Sequence, residues 1–342
     1  MRNIVIILIL ITTIFGCKTD KKQEKIDLSD LNLYLETDVE IDSVLVANFT
    51  QDREYQFMPY SDTLNITFNY SINDYYFIKF FTKKGAMMYP LWLNGENVII
   101  KGKIMNNLKI DTVIGSDLYY KSINYRKKYK ELNENPSDSA TINNFLLDMF
   151  SQNIDNPFST EIASNFFHRN ISNKNELKII YSILSNQEDT LKNNLLSPYK
   201  EIENILTVDT IDLTRFQFYD IEKNITTIKP EKGKIILLDF WFMECAPCIK
   251  DHQLIANKLE LFKDNNIELI GISIDRNHEE WKDFLKEKKY SWLNLREVDV
   301  PEKSLRTNML ISVFPTYLLI DDEGNILYRT NSFSEIEKHL DI

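Results

Sequence analysis

Residues 234–248 read KIILLDFWFMECAPC, and no other stretch constrains the fold as tightly. Lys234 to Trp241 is an almost continuous apolar run, the pattern of a strand covered on both faces. Cys245 and Cys248 follow at once. Ala246 to Asp264 then reads as a helix, with Ile255, Leu259 and Phe262 on one face. Pro247 suits the first helical turn, where a missing N–H costs nothing. A cysteine at that point meets unpaired backbone N–H groups and the positive end of the helix macrodipole, which favour its thiolate. The second cysteine lies one turn further in. There it can attack a mixed disulfide formed at the first. On this reading Cys245 is the nucleophile and Cys248 the resolving residue.

Two other uses of the pair have to be weighed. A structural zinc site takes four ligands, usually from two such pairs. The chain has only three cysteines, and His252 and His278 lack the usual spacing to complete a site, so no metal is expected. A structural staple across so short a loop would restrict the unfolded chain little.

The third cysteine sits in MRNIVIILILITTIFGC. Arg2 is a minimal positive region, and Ile4 to Ile14 is an apolar run within the roughly 7–15 residues of a signal-peptide core. It is shorter than the ~20 residues a membrane-spanning helix needs. Ile14-Phe15-Gly16-Cys17 resembles the lipobox of bacterial lipoproteins, with Phe15 where a small residue is usual. That resemblance implies a leader over 1–16, lipidation at Cys17, and a polar tether over 17–30.

The remaining chain divides into three zones. From Leu31 to Ile114, short apolar runs at Ser43–Phe49, Leu64–Tyr70, Tyr75–Thr82, Met88–Leu93 and Asn97–Ile104 read as strands. Lys83-Lys84-Gly85 and Asn94-Gly95-Glu96 read as turns, the second as a hairpin. A β-sandwich-like domain is expected over 31–115. From 116 to 206 the period becomes helical, as at Ile142, Phe145, Leu146, Met149 and Phe150 and again over Glu176–Leu184. Pro136, Pro157 and Pro198 mark boundaries in what reads as a helical connector. His168, beside Phe166 and Phe167, reads as a packing or surface residue rather than a ligand.

From 207 to 342 strands and helices alternate. Phe216–Tyr219, Ile267–Ile274 and Trp292–Leu295 read as strands, and Asn277–Tyr290 and Pro301–Met309 as helices. Thr316–Ile320 and Ile326–Arg329 read as a hairpin, and Ser334 with Glu337 as a capping box for a last helix. This order argues for a three-layer α/β domain. Net charge is −11, with no basic face to neutralise phosphates, so no nucleic-acid partner is expected.

Asp239-Phe240-Trp241 followed by Cys245-Ala246-Pro247-Cys248 resembles the active-site strand and loop of the thioredoxin superfamily. Val313-Phe314-Pro315-Thr316 resembles its second mark, a cis proline facing the dithiol, beside which the substrate chain binds. The extra helix and strand over 277–295 resemble the TlpA/ResA type. The β-rich zone ahead resembles the N-terminal domain of many Bacteroidota lipoproteins with such a C-terminal domain.

This resemblance implies an α/β thioredoxin-like fold and a redox disulfide between Cys245 and Cys248. It also implies a thiol–disulfide oxidoreductase of the reductase kind. Asp239 falls at the buried acid that relays protons to the resolving cysteine. Asp251 falls at the acidic position ResA-type proteins carry near the dithiol. Trp241, Phe314, Pro315 and Thr316 fall on the substrate side. The implied partners are cysteine-containing envelope proteins, a membrane thiol donor for re-reduction, and the membrane through a lipid anchor. The implied location is the periplasm-facing cell envelope, and no cofactor is implied.

Two rival readings remain. A thiol peroxidase of the peroxiredoxin-like branch would carry Thr or Ser three residues before its cysteine, where this chain has Phe242. A ligand-binding lipoprotein would use the C-terminal fold as scaffold only.

Overall fold

The computed structural model describes residues 28–48, 55–105, 107–134 and 138–341. The leader, Cys17, the tether up to residue 27 and Pro136 lie outside the described residues.

The first unit is β-structure: β1 (Ser29–Thr37), β2 (Ser43–Asn48), β3 (Tyr55–Pro59), β4 (Thr63–Phe68), β5 (Ile72–Thr82), β6 (Gly85–Gly95), β7 (Asn97–Ile104) and β8 (Leu108–Ile114). They form two four-stranded sheets, ordered β4-β1-β7-β8 and β3-β2-β5-β6. Alternate residues of both sheets enter one core, including Leu31, Leu33, Val44, Val46, Ile78 and Ile100, which makes the unit a sandwich. Lys83 and Lys84 form the two-residue hairpin expected of them, with Thr82 opposite Gly85.

Asn94-Gly95 is not a hairpin turn. β6 pairs with β5 in one sheet, whereas β7 pairs with β1 and β8 in the other, so this dipeptide is the crossover between sheets. The Asn94 side chain is occupied by the first helix, α1 (Asp117–Glu134): its Oδ1 accepts from the Ser116 hydroxyl and the Leu118 amide, both at 3.0 Å. Gly95 has φ +118°, and a Cβ there would lie 2.1 Å from the Gly115 carbonyl oxygen.

After α1 come α2 (Ser139–Ser151), α3 (Ser159–Arg169), α4 (Lys174–Leu184), α5 (Asp189–Lys192) and α6 (Tyr199–Thr207). All but the short α5 share a core with Trp92 of β6. Glu161 on α3 accepts two hydrogen bonds from Arg126 on α1, at 2.7 and 2.8 Å, and another from the Trp92 indole. The forked pair joins α1 to α3, and the indole bond ties the sandwich to the helices. Val313, from the far end of the chain, also packs on this helical core. His168 is half-buried against Phe167.

The last unit holds β9 (Phe218–Tyr219), β10 (Ile225–Thr226), β11 (Ile235–Trp241), α7 (Ala246–Ala256), α8 (Leu259–Asp264), β12 (Ile267–Ser273), α9 (His278–Lys288), β13 (Leu293–Glu297), α10 (Leu305–Asn308), β14 (Thr316–Ile320), β15 (Ile326–Thr330) and α11 (Phe333–Leu340). Its sheet runs β10-β9-β13-β12-β11-β14-β15, with β11, β12 and β13 parallel and the outer strands antiparallel. β11 lies inside the sheet and is covered on both faces, as its apolar run requires. Ile236, Leu238 and Phe240 enter one core, while Leu237 enters the opposite one.

Three local expectations are corrected. The helix read over Ala246–Asp264 is two helices broken at Asn257 and Lys258. The Asn257 side chain donates to the Gln253 carbonyl at 3.0 Å, a local bond that competes with the helical ladder. The helix read over Pro301–Met309 is only a single 3₁₀ turn followed by α10. Ser334 and Glu337 form no capping box, because α11 begins two residues earlier than that pattern requires. Ser332 holds the cap position without a capping bond, and Glu337 reaches Lys258 at 3.4 Å instead.

Candidate active site

The dithiol sits where β11 gives way to α7. Cys245 is the N-cap of α7, Pro247 falls in its first turn, and the backbone amide of Cys248 donates to Cys245 Sγ at 3.2 Å. The two sulfurs are joined as a disulfide, with the Cα atoms 5.3 Å apart. Cys245 retains slight exposure at 4%, whereas Cys248 has none. An incoming group therefore reaches Cys245 first.

What lies beneath the pair follows from two periods meeting. Side chains alternate along a strand, so Leu237, Asp239 and Trp241 share one face of β11. The buried stripe of α7 is Cys248, His252 and Ile255, spaced four and three as one helix face requires. Leu237 and Ile255 fall in one core cluster, and Trp241 and Cys248 in another. Between these contacts, Asp239 Oδ2 and His252 Nε2 stand 2.7 Å apart, both side chains with no exposed surface. Rings enclose the imidazole: Trp241 at 5.0 Å, Tyr290 at 4.8 Å and Trp292 at 5.5 Å between centroids, all edge-on. Asp239 Oδ1 and His252 Nδ1 are buried without hydrogen-bond partners. The pair therefore interacts through one short contact alone.

Asp251 lies on a neighbouring flank of α7. The Tyr317 hydroxyl donates to its Oδ2 at 3.1 Å, and Tyr317 stands opposite Asp239 in the β11–β14 ladder. Burial pushes the Asp251 carboxyl above the usual carboxylate range, partly offset by that hydrogen bond. Burial likewise pushes the Tyr317 hydroxyl up, as does the Asp239 charge. Tyr290 is pushed up to about 12 by burial and then by Asp239.

The loop before Cys245 is fixed from the next strand. Asp275, just after β12, accepts from the Met243 amide through both oxygens, at 3.1 and 3.3 Å, and from the Ser273 hydroxyl at 2.7 Å. Burial raises its carboxyl pKa as well. Arg296, itself buried, donates to the Asp275 backbone carbonyl at 2.9 Å.

The second sequence mark comes to the same place. Phe314-Pro315 is a cis peptide, and Phe314 packs edge-on against Phe242 with ring centroids 5.5 Å apart. Phe314 also joins the cluster that contains both cysteines. The Thr316 hydroxyl turns back to the Val313 carbonyl at 2.7 Å, so this residue offers backbone rather than side chain. Trp241 is fully buried and supports the dithiol from below. Among the described residues, no group of three or more His, Cys, Asp or Glu side chains could hold a metal ion, and no helix is long and apolar enough to cross a membrane.

A family model described as thioredoxin-like matches residues 233–326, which contain the strand, both cysteines and the cis proline. ResA, a thiol-disulfide oxidoreductase of Bacillus subtilis (strain 168), is 26% identical over 116 residues, covering 34% of this chain and 63% of that protein. ResA of Bacillus cereus (strain ZK / E33L) is 28% identical over 114 residues, covering 33% and 64%. The C-terminal part of this chain is a thioredoxin-like domain and is similar to those of the ResA/TlpA type. The chain spans 63–64% of the length of these curated relatives. A solved thioredoxin domain of a thiol-disulfide oxidoreductase from Bacteroides vulgatus is 27% identical, covering 39% of this chain and 99% of that one at a TM-score of 0.34.

Within the thioredoxin-like domain, sequence reading placed Asp239, Asp251 and the cysteines but missed the partners. His252 belongs to no motif, yet it stands four residues after Cys248, on the same helical stripe. Asp275 and Tyr317 carried no motif. Their roles come from the ladders that set β12 and β14 beside β11.

Proposed function

We propose that the chain is a thiol–disulfide oxidoreductase working as a reductase on cysteine-containing proteins of the cell envelope. The observation that carries this reading is the disulfide itself: Cys245 at the N-cap of α7, slightly exposed, with Cys248 buried one turn behind it. In the reduced state Cys245 attacks a substrate disulfide. A sulfur–sulfur bond forms between Cys245 and the substrate, the substrate's own bond breaks, and the departing thiolate takes up a proton. Cys248 then loses its proton and attacks Cys245 Sγ, which releases the second substrate thiolate. The substrate gains two electrons and the domain loses two. A membrane thiol donor restores the dithiol.

Asp239 and His252 supply the place for the Cys248 proton, directly below its helical turn. His252 acts through Asp239 and is a positioning residue. The backbone around Phe314, Pro315 and Thr316 lies along the approach to Cys245 and suits an extended substrate chain. Asp251 tunes the charge beside Asp239.

Anchoring rests on the sequence through Cys17, which would tether the protein to a periplasm-facing membrane surface by lipid. Metabolic labelling with a radioactive fatty acid tests it, since Cys17→Ala should abolish the label. The activity is tested with insulin reduction in the presence of dithiothreitol. Turnover by the parent chain and none by Cys245→Ser supports the reading. Equal turnover by both overturns it and leaves the ligand-binding alternative. The peroxidase alternative draws no support from Phe242.

A further inference from the structure

A cavity of about 480 Å³ opens where the helical unit meets the last hairpin of the thioredoxin-like domain. None of the dithiol-site residues lines it. Half of its lining residues are apolar, namely Ile171, Ile205, Val208, Met309, Ile326 and Leu327, and the other half are polar. Its volume falls in the range of small-ligand sites, in which placed polar groups fix orientation.

The buried polar residue among them is Arg329. It lines the cavity yet is only 8% exposed. Its Nη1 donates to the Met309 carbonyl at 3.3 Å, and its Nε is buried without an acceptor. Among the described residues no carboxylate lies within ion-pair distance of it, and Glu201 acts on it only through space. Burial pulls its pKa down to about 10, so the guanidinium has lost water without gaining an equivalent partner.

The contrast with Arg126 is direct, since that guanidinium is satisfied by both oxygens of Glu161. A buried charge is strongly disfavoured unless it is paired. The nearby start of α4 is not the missing partner's holder, because the Asn173 side chain already accepts from the Asn175 and Glu176 amides. Lys174, on the rim, is engaged with Asp209 at 2.6 Å.

We propose that this cavity binds a small organic carboxylate with an apolar body. Its two oxygens meet the Arg329 fork, which matches a carboxylate in bidentate fashion. Its body lies against Ile205, Val208 and Leu327. Inorganic phosphate shares the anionic chemistry but has nothing to place against those walls. The site is independent of the dithiol chemistry.

Isothermal titration of the full chain with hexanoate, acetate and inorganic phosphate tests the assignment. Hexanoate should bind once per chain and at least about tenfold more tightly than acetate, since each buried methylene adds about 0.8 kcal/mol. Arg329→Met should weaken hexanoate at least about tenfold, as expected for loss of a charged hydrogen-bonding partner. Leu327→Glu supplies a second route, because Leu327 is 44% exposed and shares a strand face with Arg329. Its carboxylate should occupy Arg329 and exclude hexanoate without disturbing the core, whether or not the Met variant folds. No saturable hexanoate binding at millimolar concentration would overturn the proposal. So would phosphate binding as tightly as hexanoate, or unchanged binding in Leu327→Glu.

Discussion

Asp239 Oδ2 stands 2.7 Å from His252 Nε2, and neither side chain reaches solvent. This buried pair separates the dithiol from the rest of the α7–β11 interface. It gives the acid a partner one helical turn below Cys248.

Removing one partner should be far worse than removing both. His252→Ala leaves Asp239 buried and unpaired, and should cost about 3–5 kcal/mol of stability. The Asp239→Asn/His252→Gln double variant should cost clearly less than the sum of its two single changes. Urea unfolding of Asp239→Asn, His252→Gln and the double variant measures this coupling, and simple additivity would show that the two residues act separately.

The same pair should govern how Cys248 resolves a mixed disulfide. Asp239→Asn and His252→Gln should each shift the pH dependence of that step while leaving the first attack by Cys245 almost unchanged. Stopped-flow thiol release across pH 5 to 9 separates the two steps. Unchanged profiles in both variants would remove the proton-relay role.

Asp251 should impose a small pH dependence on stability. Its folded pKa is raised by burial, so the folded chain holds that proton more tightly than the unfolded chain does. The resulting stabilisation is fully present below the ordinary carboxylate pKa and is lost as pH rises through the raised value. Asp251→Asn should therefore gain stability on the parent at pH 7 relative to pH 3.5. The carboxyl is only partly buried, so the difference should stay under about 1 kcal/mol. Thermal melts at the two pH values check the sign.

Gly271 should tolerate no side chain. It pairs with Asp239 in the β11–β12 ladder, and a Cβ there would lie 2.3 Å from Asn294 Oδ1 and 3.1 Å from Trp241 Nε1. Gly271→Ala should cost about 1–3 kcal/mol through overpacking. It should also alter the tryptophan emission, since the added Cβ crowds Trp241 Nε1 beside the main clash on Asn294.

Local and strongly periodic features could be read from sequence, whereas features made by long-range pairing could not. The apolar run of β11 and the proline-containing start of α7 located the dithiol, because burial on both faces and helix capping leave plain local marks. Strands β1, β3 and β8 went unread. β3 carries an exposed Phe57 and β8 an exposed Ile114, so their burial contrast is weak. β1 alternates cleanly, with Leu31, Leu33 and Leu35 inward, and its pattern was available. Asn94-Gly95 misled because its hairpin preference is a local property, while Ser116 and Leu118 claim the asparagine from across the crossover. His252 needed the helix stripe laid over the strand alternation, a step that spacing alone permits but no motif suggests.

The account turns on Cys245 attacking and Cys248 resolving. Incubating each single Cys→Ser variant with a disulfide-containing protein, then resolving the products on a non-reducing gel, tests this directly. Cys248→Ser should accumulate a stable mixed disulfide through Cys245, and Cys245→Ser should form almost none. Accumulation in Cys245→Ser, or in neither variant, would contradict the account.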